Sequence, residues 1–147
     1  MSTKPRQKSP TQRCLAELRA MGATAEVVEK RLPIPGKFVT QDLFGFLDIV
    51  ALLGPNIIGI QCTSWANHAA RKTKILAEPR AKKWLAAGGL IELWSYRKSR
   101  TSGHWECRKE AIVAEDWLPA EAEDQGHEAP GTAGKAWHIG AHYVLED

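Results

Sequence analysis

The sequence predicts a mixed α/β (α+β) domain with a central mixed sheet and an extra hairpin at its C-terminal end. Helix start and stop signals alternate along the chain with short apolar runs that are bounded by glycine and proline. In order, the elements read α-β-β-β-α-(α)-β-β, which is the pattern of helices packed on a sheet. A length of 147 residues suits one domain with a single core.

The first helix is predicted to begin directly after Ser9. Ser9 suits the N-cap, Pro10 suits the first helical position, and Gln12 completes a capping box. Leu18 belongs to an apolar stripe at helical spacing. Gly22 is then expected to end the helix, because glycine readily adopts the left-handed conformation found there.

Extended segments follow this helix. Residues 24–32 are predicted to form a strand, and residues 37–40 a short strand or a loop. The apolar run 42–53 is predicted to pair with the strand 57–63 across a Gly-Pro-Asn turn. This pair would form a hairpin with a buried centre.

The second half of the chain predicts two helices and two strands. Residues 65–87 have a helical pattern, and Pro79 is expected to divide it into two helices. Residues 90–97 and 104–114 are predicted to be strands joined by the polar loop 98–103. They would form the C-terminal hairpin.

The predicted domain covers residues 9–118. Residues 1–8 are expected to be a disordered basic arm, and residues 119–147 an acidic tail that is partly disordered. Within that tail, residues 136–145 regain apolar character and could dock as a strand. We see no apolar run long enough for a membrane span and no secretory signal. The cysteines are odd in number and widely spaced, which favours a reducing, cytoplasmic location.

The charge is divided unevenly along the chain. Residues 1–109 carry 19 basic and 8 acidic side chains, whereas residues 110–147 carry one basic and nine acidic ones. A basic body predicts a polyanionic partner, and DNA is the expected one. A rival interpretation is a protein-interaction or inhibitor protein whose acidic tail imitates nucleic acid.

An unusual set of polar residues lies in the central predicted hairpin. Asp48 interrupts an apolar strand, and Gln61 and Thr63 face one side of the next strand because they are two residues apart. Asp48, Gln61 and the carbonyl of Cys62 are hard oxygen ligands of the kind that Mg²⁺ or Mn²⁺ prefers. Alternatively, Asp48 pairs with a nearby Arg or Lys, and the other two side chains satisfy backbone groups.

These residues also suggest a family. The segment Gly45-Phe46-Leu47-Asp48, a hairpin turn, Gln61-Cys62-Thr63 and a basic helix together resemble the PD-(D/E)xK nuclease superfamily, with archaeal and phage-type Holliday junction resolvases as the nearest pattern. The resemblance implies a restriction-endonuclease-like α-β-β-β-α-β core over residues 9–97. It also implies a metal-dependent endonuclease that acts on DNA, including branched DNA, as a homodimer. By the same resemblance, Glu17 is the helix carboxylate, Asp48 the metal ligand and Gln61 the second ligand.

Thr63 departs from the family pattern, which has a lysine at that position. Either Lys72 or Lys74 from the following helix replaces this lysine, or the fold is a catalytically inactive nucleic-acid-binding module. His68 is either a water-activating base or a solvent-facing helix residue. The predicted catalytic set is Glu17, Asp48, Gln61, Thr63, Lys72 and Lys74.

Other acidic and basic residues have simpler interpretations. Asp42 is expected to cap a turn rather than to bind a metal ion, and Glu29 is expected to lie at the surface. Two basic bands flank the predicted site and are expected to contact phosphates. The predicted nucleic-acid-binding residues are Trp65, Arg71, Arg80, Lys82, Lys83, Arg97, Lys98 and Arg100.

Overall fold

A computed structural model describes residues 3–119 and confirms the predicted mixed α/β class. Helices α1 (Pro10–Ala20), α2 (His68–Ala77) and α3 (Pro79–Ala86) accompany a five-stranded mixed sheet and a separate two-stranded one. Pro79 divides α2 from α3, as the sequence predicted. The acidic tail beyond residue 119, with its predicted docking strand 136–145, lies outside the described residues.

The strands are β1 Thr24–Val27, β2 Lys30–Ile34, β3 Lys37–Gln41, β4 Ile49–Leu53, β5 Asn56–Ser64, β6 Leu90–Lys98 and β7 Trp105–Ile112. Five of them form the large sheet, in the order β1-β4-β5-β6-β7. Neighbouring strands of this sheet are antiparallel, except for the parallel pair β5 and β6. Helices α2 and α3 form the crossover that this parallel pair requires. Strands β6 and β7 form the predicted C-terminal hairpin.

Both predicted ends of α1 are present. Ser9 Oγ accepts a hydrogen bond from Gln12 N at 3.2 Å, and Ser9 N donates to Gln12 Oε1 at 3.0 Å, which completes the capping box. Gly22 has φ of 88°, and Ala23 N donates to Leu18 O at 3.0 Å, as in a Schellman motif. These bonds fix where the helix starts and stops.

Helices cover both faces of the large sheet. Alternate residues of β5 and β6 point to opposite faces, so each face has its own core. The first core lies under α1, and the second lies under α2 and α3. The first core includes Cys14, Leu18, Ile49, Ala51, Ile58, Ile60, Cys62, Trp94 and Tyr96. The second core includes Phe46, Leu47, Ile75, Ala81, Ile91, Leu93 and Ile112.

The predicted strand over residues 24–32 is wrong in one respect, because this segment forms two strands with different partners. Strand β1 pairs with β4 in the large sheet. Just beyond this pairing, Val28 N donates a backbone hydrogen bond to Asp48 O at 2.8 Å. The chain then leaves the sheet, and β2 pairs only with β3. The two strands β2 and β3, with their connecting turn, form an arm that we call the hairpin arm (residues 30–41).

The predicted strand over residues 42–53 is also too long, since only β4, its second part, is a strand. The preceding residues form a tight turn in which Leu43 N donates to Leu47 O at 2.9 Å. Phe44 and Gly45 adopt positive φ values of 54° and 78° in that turn. A strand cannot accommodate these left-handed conformations.

Two side chains of the turn are buried under the sheet. Phe46 and Leu47 have no exposed surface. Leu47 packs so closely on β5 that a Cβ at Gly59 would lie 2.5 Å from Leu47 Cδ2. The packing of this turn holds the residue that follows it, Asp48, at a fixed place beside β5.

Candidate metal centre

Asp48 and Gln61 lie side by side on the sheet. The pairing of Ile49 with Ile60 puts the preceding residue, Asp48, opposite Gln61. Gln61 Nε2 donates to Asp48 Oδ2 at 2.6 Å, and Cys62 N donates to the same oxygen at 2.8 Å. The two side chains are only 4% and 2% exposed. One carboxylate oxygen is therefore fully engaged by the protein, and the carboxylate is held rigidly.

Two further carboxylates meet Asp48 at this point. One carboxylate oxygen from each of Glu29, Asp42 and Asp48 lies within 4.8 Å of the other two. Glu29 comes immediately before β2, and Asp42 comes immediately after β3. The base of the hairpin arm thus brings both acids to Asp48.

The position of Asp48 raises its pKa from the ordinary 3.8 to about 7. Burial is the main cause, because it disfavours the charged form. The nearby charges of Asp42 and Glu29 raise the pKa further, while the N–H of Cys62 opposes the increase. A proton or a cation at this place would relieve the repulsion among the three acids.

Gln61 Oε1 provides a second and independent sign of a ligand. This oxygen is buried and has no hydrogen-bond partner among the described residues. A buried polar atom without a partner is rare, and it costs about 1–3 kcal/mol. Gln61 lines the same cavity as the three acids, so the residue with this unpartnered oxygen lies in the wall of the candidate site.

The cavity itself has a volume of about 440 Å³. Its wall combines basic side chains with acidic, amide and hydroxyl groups, and the oxygens of the latter three are ligands that a hard divalent cation prefers. The lining residues are Thr11, Glu29, Thr40, Gln41, Asp42, Gly45, Asp48, Gln61, Cys62, Arg71 and Lys74.

Two cations of α2 complete the wall. Lys74 Nζ lies 3.5 Å from Asp42 Oδ2, and Arg71 lines the cavity. The two residues are three apart, so they share one flank of the helix. This flank faces the 42–48 segment and places positive charge beside the acidic cluster.

The structure separates the two candidate lysines. Lys72 points to the opposite flank of α2, where its Nζ lies 3.2 Å from Glu110 Oε2 and 3.3 Å from Asp116 Oδ1. It is not among the residues that line the cavity. Of the two lysines proposed to replace the motif lysine, Lys74 alone reaches the site.

His68 fits neither of its two interpretations. It is buried, not solvent-facing, since its Nδ1 lies 2.7 Å from Ser95 Oγ and its Nε2 lies 3.1 Å from Glu110 Oε1. It does not line the cavity either. Its contacts attach α2 to β6 and β7, and they leave it no access to a water in the cavity.

Glu17 lies on the other face of the sheet. Tyr96 donates its hydroxyl to Glu17 Oε2 at 2.8 Å, and Lys109 Nζ lies 3.4 Å from Glu17 Oε1. Tyr96 belongs to the core under α1, whereas Asp48 and Gln61 face α2. The structure therefore does not bring Glu17 to the predicted metal ligands.

The remaining two residues of the predicted set occupy different roles. Cys62 contributes its backbone N–H to Asp48, and its side chain is buried in the core under α1. Thr63 is 5% exposed and is not part of the cavity wall. Cys62 also lines the cavity, and the structure adds Glu29 and Asp42 to the wall.

The predicted nucleic-acid-binding residues are spread over several environments. The guanidinium of Arg97 stacks 3.8 Å from the ring centre of Trp65, so it covers one face of that ring. Arg80 pairs with Glu78 at 2.8 Å, and both side chains lie close to Gly45 at the edge of the cavity. Of the others, Arg71 lines the cavity, Lys82 lies near Trp117, and Lys83, Lys98 and Arg100 are exposed.

Comparison with known proteins adds no assignment. No family model matches the chain, and no curated protein or solved structure is significantly similar to it. Among the described residues, no helix combines the length and apolar character needed to cross a membrane.

Proposed function

We propose that this protein is a metal-dependent DNA endonuclease with a restriction-endonuclease-like core. The order α1, β1, β4, β5, α2 and β6 supports the proposal, because it follows the α-β-β-β-α-β core once the hairpin arm is set aside. The observation that carries the proposal is the cluster of three carboxylates in one cavity wall with Gln61, whose buried Oε1 has no partner among the described residues. Such an arrangement is costly without a cation.

The residues present fit Mg²⁺ or Mn²⁺. Asp48, Asp42, Glu29 and Gln61 Oε1 would hold the ion with oxygen ligands, which both metals prefer. When bound, the ion would supply Lewis-acid stabilisation of phosphate oxygens and lower the pKa of a coordinated water.

The chain's own part in hydrolysis is to bind and orient the phosphodiester. Lys74 and Arg71 lie beside the acidic cluster, where they would contact phosphate oxygens and offset the charge that develops there. In the net reaction, the oxygen of water joins phosphorus and one P–O ester bond breaks. One proton of the water ends on the departing oxygen, and the other goes to solvent.

Lys74 would take over the role of the lysine that Thr63 replaces. A helix-borne ammonium can reach the same phosphate oxygens, because the flank of α2 that carries it faces the cavity. The contrary observation is that Lys74 already lies 3.5 Å from Asp42. This contact favours the second candidate function, a catalytically inactive DNA-binding module with the same fold.

Cleavage assays separate the two candidates. Linear, flapped and four-way DNA would be incubated with the protein and Mg²⁺ or Mn²⁺. We expect cutting that Asp48→Asn lowers on the order of 100-fold or more while DNA binding persists. Binding without cutting at any divalent ion concentration would establish the inactive module instead.

The two lysines provide a matched pair of variants. Lys74→Met should lower the cleavage rate on the order of 10–100-fold, because it removes the cation beside the acidic cluster. Lys72→Met removes an equal charge from the opposite flank of the same helix, so the rate should change less than about threefold. Equal losses in the two variants would show that Lys74 has no special role.

A homodimer and a cytoplasmic location complete the proposal. A second subunit would supply a second site, which cutting both strands requires. Sedimentation of the free protein and of its DNA complex would test the dimer. The free thiols of Cys14, Cys62 and Cys107 support a reducing compartment.

A further inference from the structure

The hairpin arm is a cationic and apolar surface with no partner among the described residues. Strands β2 and β3 pair only with each other, and every residue of both strands is exposed. The arm carries three basic side chains, Lys30, Arg31 and Lys37, and no acidic one. An isolated two-stranded hairpin is only marginally stable in water, so a bound ligand would stabilise an arm of this kind.

Phe38 is the most exposed large apolar side chain of the described chain, at 85%. It pairs with Pro33 next to the turn, and so it lies near the tip of the arm. Alternation along the strands puts Phe38 and Arg31 on the same face. An exposed aromatic ring with a cation beside it is suited to stacking on a nucleic-acid base.

The base of the arm is part of the candidate metal centre. Thr40 and Gln41 line the cavity, and Glu29 and Asp42, at the two ends of the arm, belong to the acidic cluster. Phe38 precedes Asp42 by four residues, a distance of about 13 Å along a strand. This equals the rise of about four base pairs along the axis of stacked DNA. The arm therefore ties the position of an aromatic ring to the position of the cluster.

We propose that the hairpin arm selects DNA with an unpaired or unstacked base, by stacking Phe38 on that base near the phosphate to be cut. Arg31, on the same face as Phe38, contacts an adjacent phosphate, while Lys30 and Lys37 add positive charge from the opposite face. The inference rests on the proposed DNA substrate, and it adds the part of the protein that would recognise an unpaired base. Fully paired duplex offers no base face to Phe38, because its bases are stacked on one another. A branch point, flap or mismatch offers one, because some of its bases are already unpaired and little further free energy is needed to unstack them.

Binding measurements in the cleavage-deficient Asp48→Asn background test the arm without interference from cutting. The probes are a four-way junction, a duplex with one unpaired 2-aminopurine, and the matched fully paired duplex. Phe38→Ala should weaken binding to the first two about 5- to 100-fold, as expected for one stacked base, and to paired duplex less than about twofold. Phe38→Trp should retain the preference.

Val39→Thr is the matched control. Val39 lies next to Phe38 on the opposite face of the arm, and threonine keeps both its shape and its preference for strands. Its affinities for all three probes should stay within about twofold of the parent protein. In addition, 2-aminopurine fluorescence should change on binding in the Val39→Thr variant but not in Phe38→Ala.

The cutting position gives a second readout in the protein with Asp48 intact. We expect cuts within about three to five nucleotides of the unpaired base, given the strand distance between Phe38 and Asp42. Equal binding of all probes by Phe38→Ala and its parent would overturn the inference. So would sedimentation showing that Phe38→Ala converts a dimer to a monomer, since the arm would then be a contact between two copies of this chain.

The results also separate this inference from the proposed function. Cutting that depends on Asp48 but shows no dependence on Phe38 would leave the nuclease proposal intact and overturn the inference. Binding of unpaired DNA that depends on Phe38, without any cutting, would support the inference and overturn the nuclease proposal.

Discussion

Replacing Asp48 by asparagine should stabilise the protein when no divalent ion is present. Asparagine keeps an oxygen that can accept from Gln61 Nε2 and Cys62 N, so both buried hydrogen bonds survive. It removes the negative charge that faces Glu29 and Asp42. The substitution therefore isolates the cost of the charge from the cost of lost contacts.

The size of this effect follows from the pKa of Asp48. The increase from 3.8 to about 7 corresponds to about 4 kcal/mol of free energy. Because the folded state holds the proton more tightly, the stability of the parent protein falls as pH rises from about 4 to about 7. Asp48→Asn should thus match its parent near pH 4 and exceed it by about 2–4 kcal/mol above about pH 8.

Urea unfolding across this pH range, with and without Mn²⁺, measures both the cost of the buried charge and the stabilisation by the bound ion. Glu92→Gln is the matched control, because burial also raises the pKa of Glu92 to about 7, and Glu92 is not part of the cavity wall. Relative to the parent protein, both variants should gain stability as pH rises, because each lacks one carboxylate that is costly when charged. Mn²⁺ should stabilise the parent protein and Glu92→Gln, by RT ln(1 + [Mn²⁺]/Kd), but not Asp48→Asn.

Two results would refute this reasoning. If Asp48→Asn were less stable than its parent at every pH, the carboxylate would be needed for folding and its charge would not be a cost. If Mn²⁺ stabilised all three proteins equally, the cation would bind elsewhere.

Three further substitutions test the fold by urea unfolding. Ser9→Ala should cost about 1 kcal/mol, because it removes the N-cap of α1, and an unchanged midpoint would contradict the role of the capping box. Gly59→Ala should cost about 1–3 kcal/mol by overpacking against Leu47, and a neutral result would mean that the turn shifts freely. Trp84→Phe should cost about 1 kcal/mol by removing the 2.8 Å hydrogen bond to Leu90 O, and an unchanged midpoint would mean that this bond contributes nothing to stability.

The elements that the sequence predicted well are those with local signals. The capping residues of α1 and the proline between α2 and α3 act through their own backbone geometry, so their effect can be recognised without tertiary information. The pairing of Asp48 with Gln61 follows from the turn between β4 and β5, which fixes the register of those strands.

The parts that were missed depend on tertiary contacts. Residues 24–32 have strand character throughout, and nothing local marks the point after Val28 where the chain leaves the large sheet. The turn at Phe44 and Gly45 is hidden in an apolar run, because phenylalanine rarely adopts a positive φ. The sequence predicts Glu29 at the surface and Asp42 in a turn, because only the tertiary position of the hairpin arm brings the two acids to Asp48.

The difference between Lys72 and Lys74 has a partial signal in the sequence. His68 and Ile75 are both buried on α2, so the intervening Lys72, four residues after His68, lies on the side that faces the sheet. If His68 is taken as buried, Lys72 is expected to face the sheet and to pair with an acidic residue there, as it does with Glu110. A histidine is as common at the surface as in the core, and the sequence alone favoured the surface.

Crystals of the protein soaked in Mn²⁺ test the central claim most directly, through the anomalous signal of the ion. We expect an anomalous peak within about 2.5 Å of carboxylate oxygens from Asp48 and Asp42 and of Gln61 Oε1. A fully occupied ion elsewhere, with Gln61 Oε1 turned to a protein hydrogen-bond donor and no density among the three carboxylates, would contradict it.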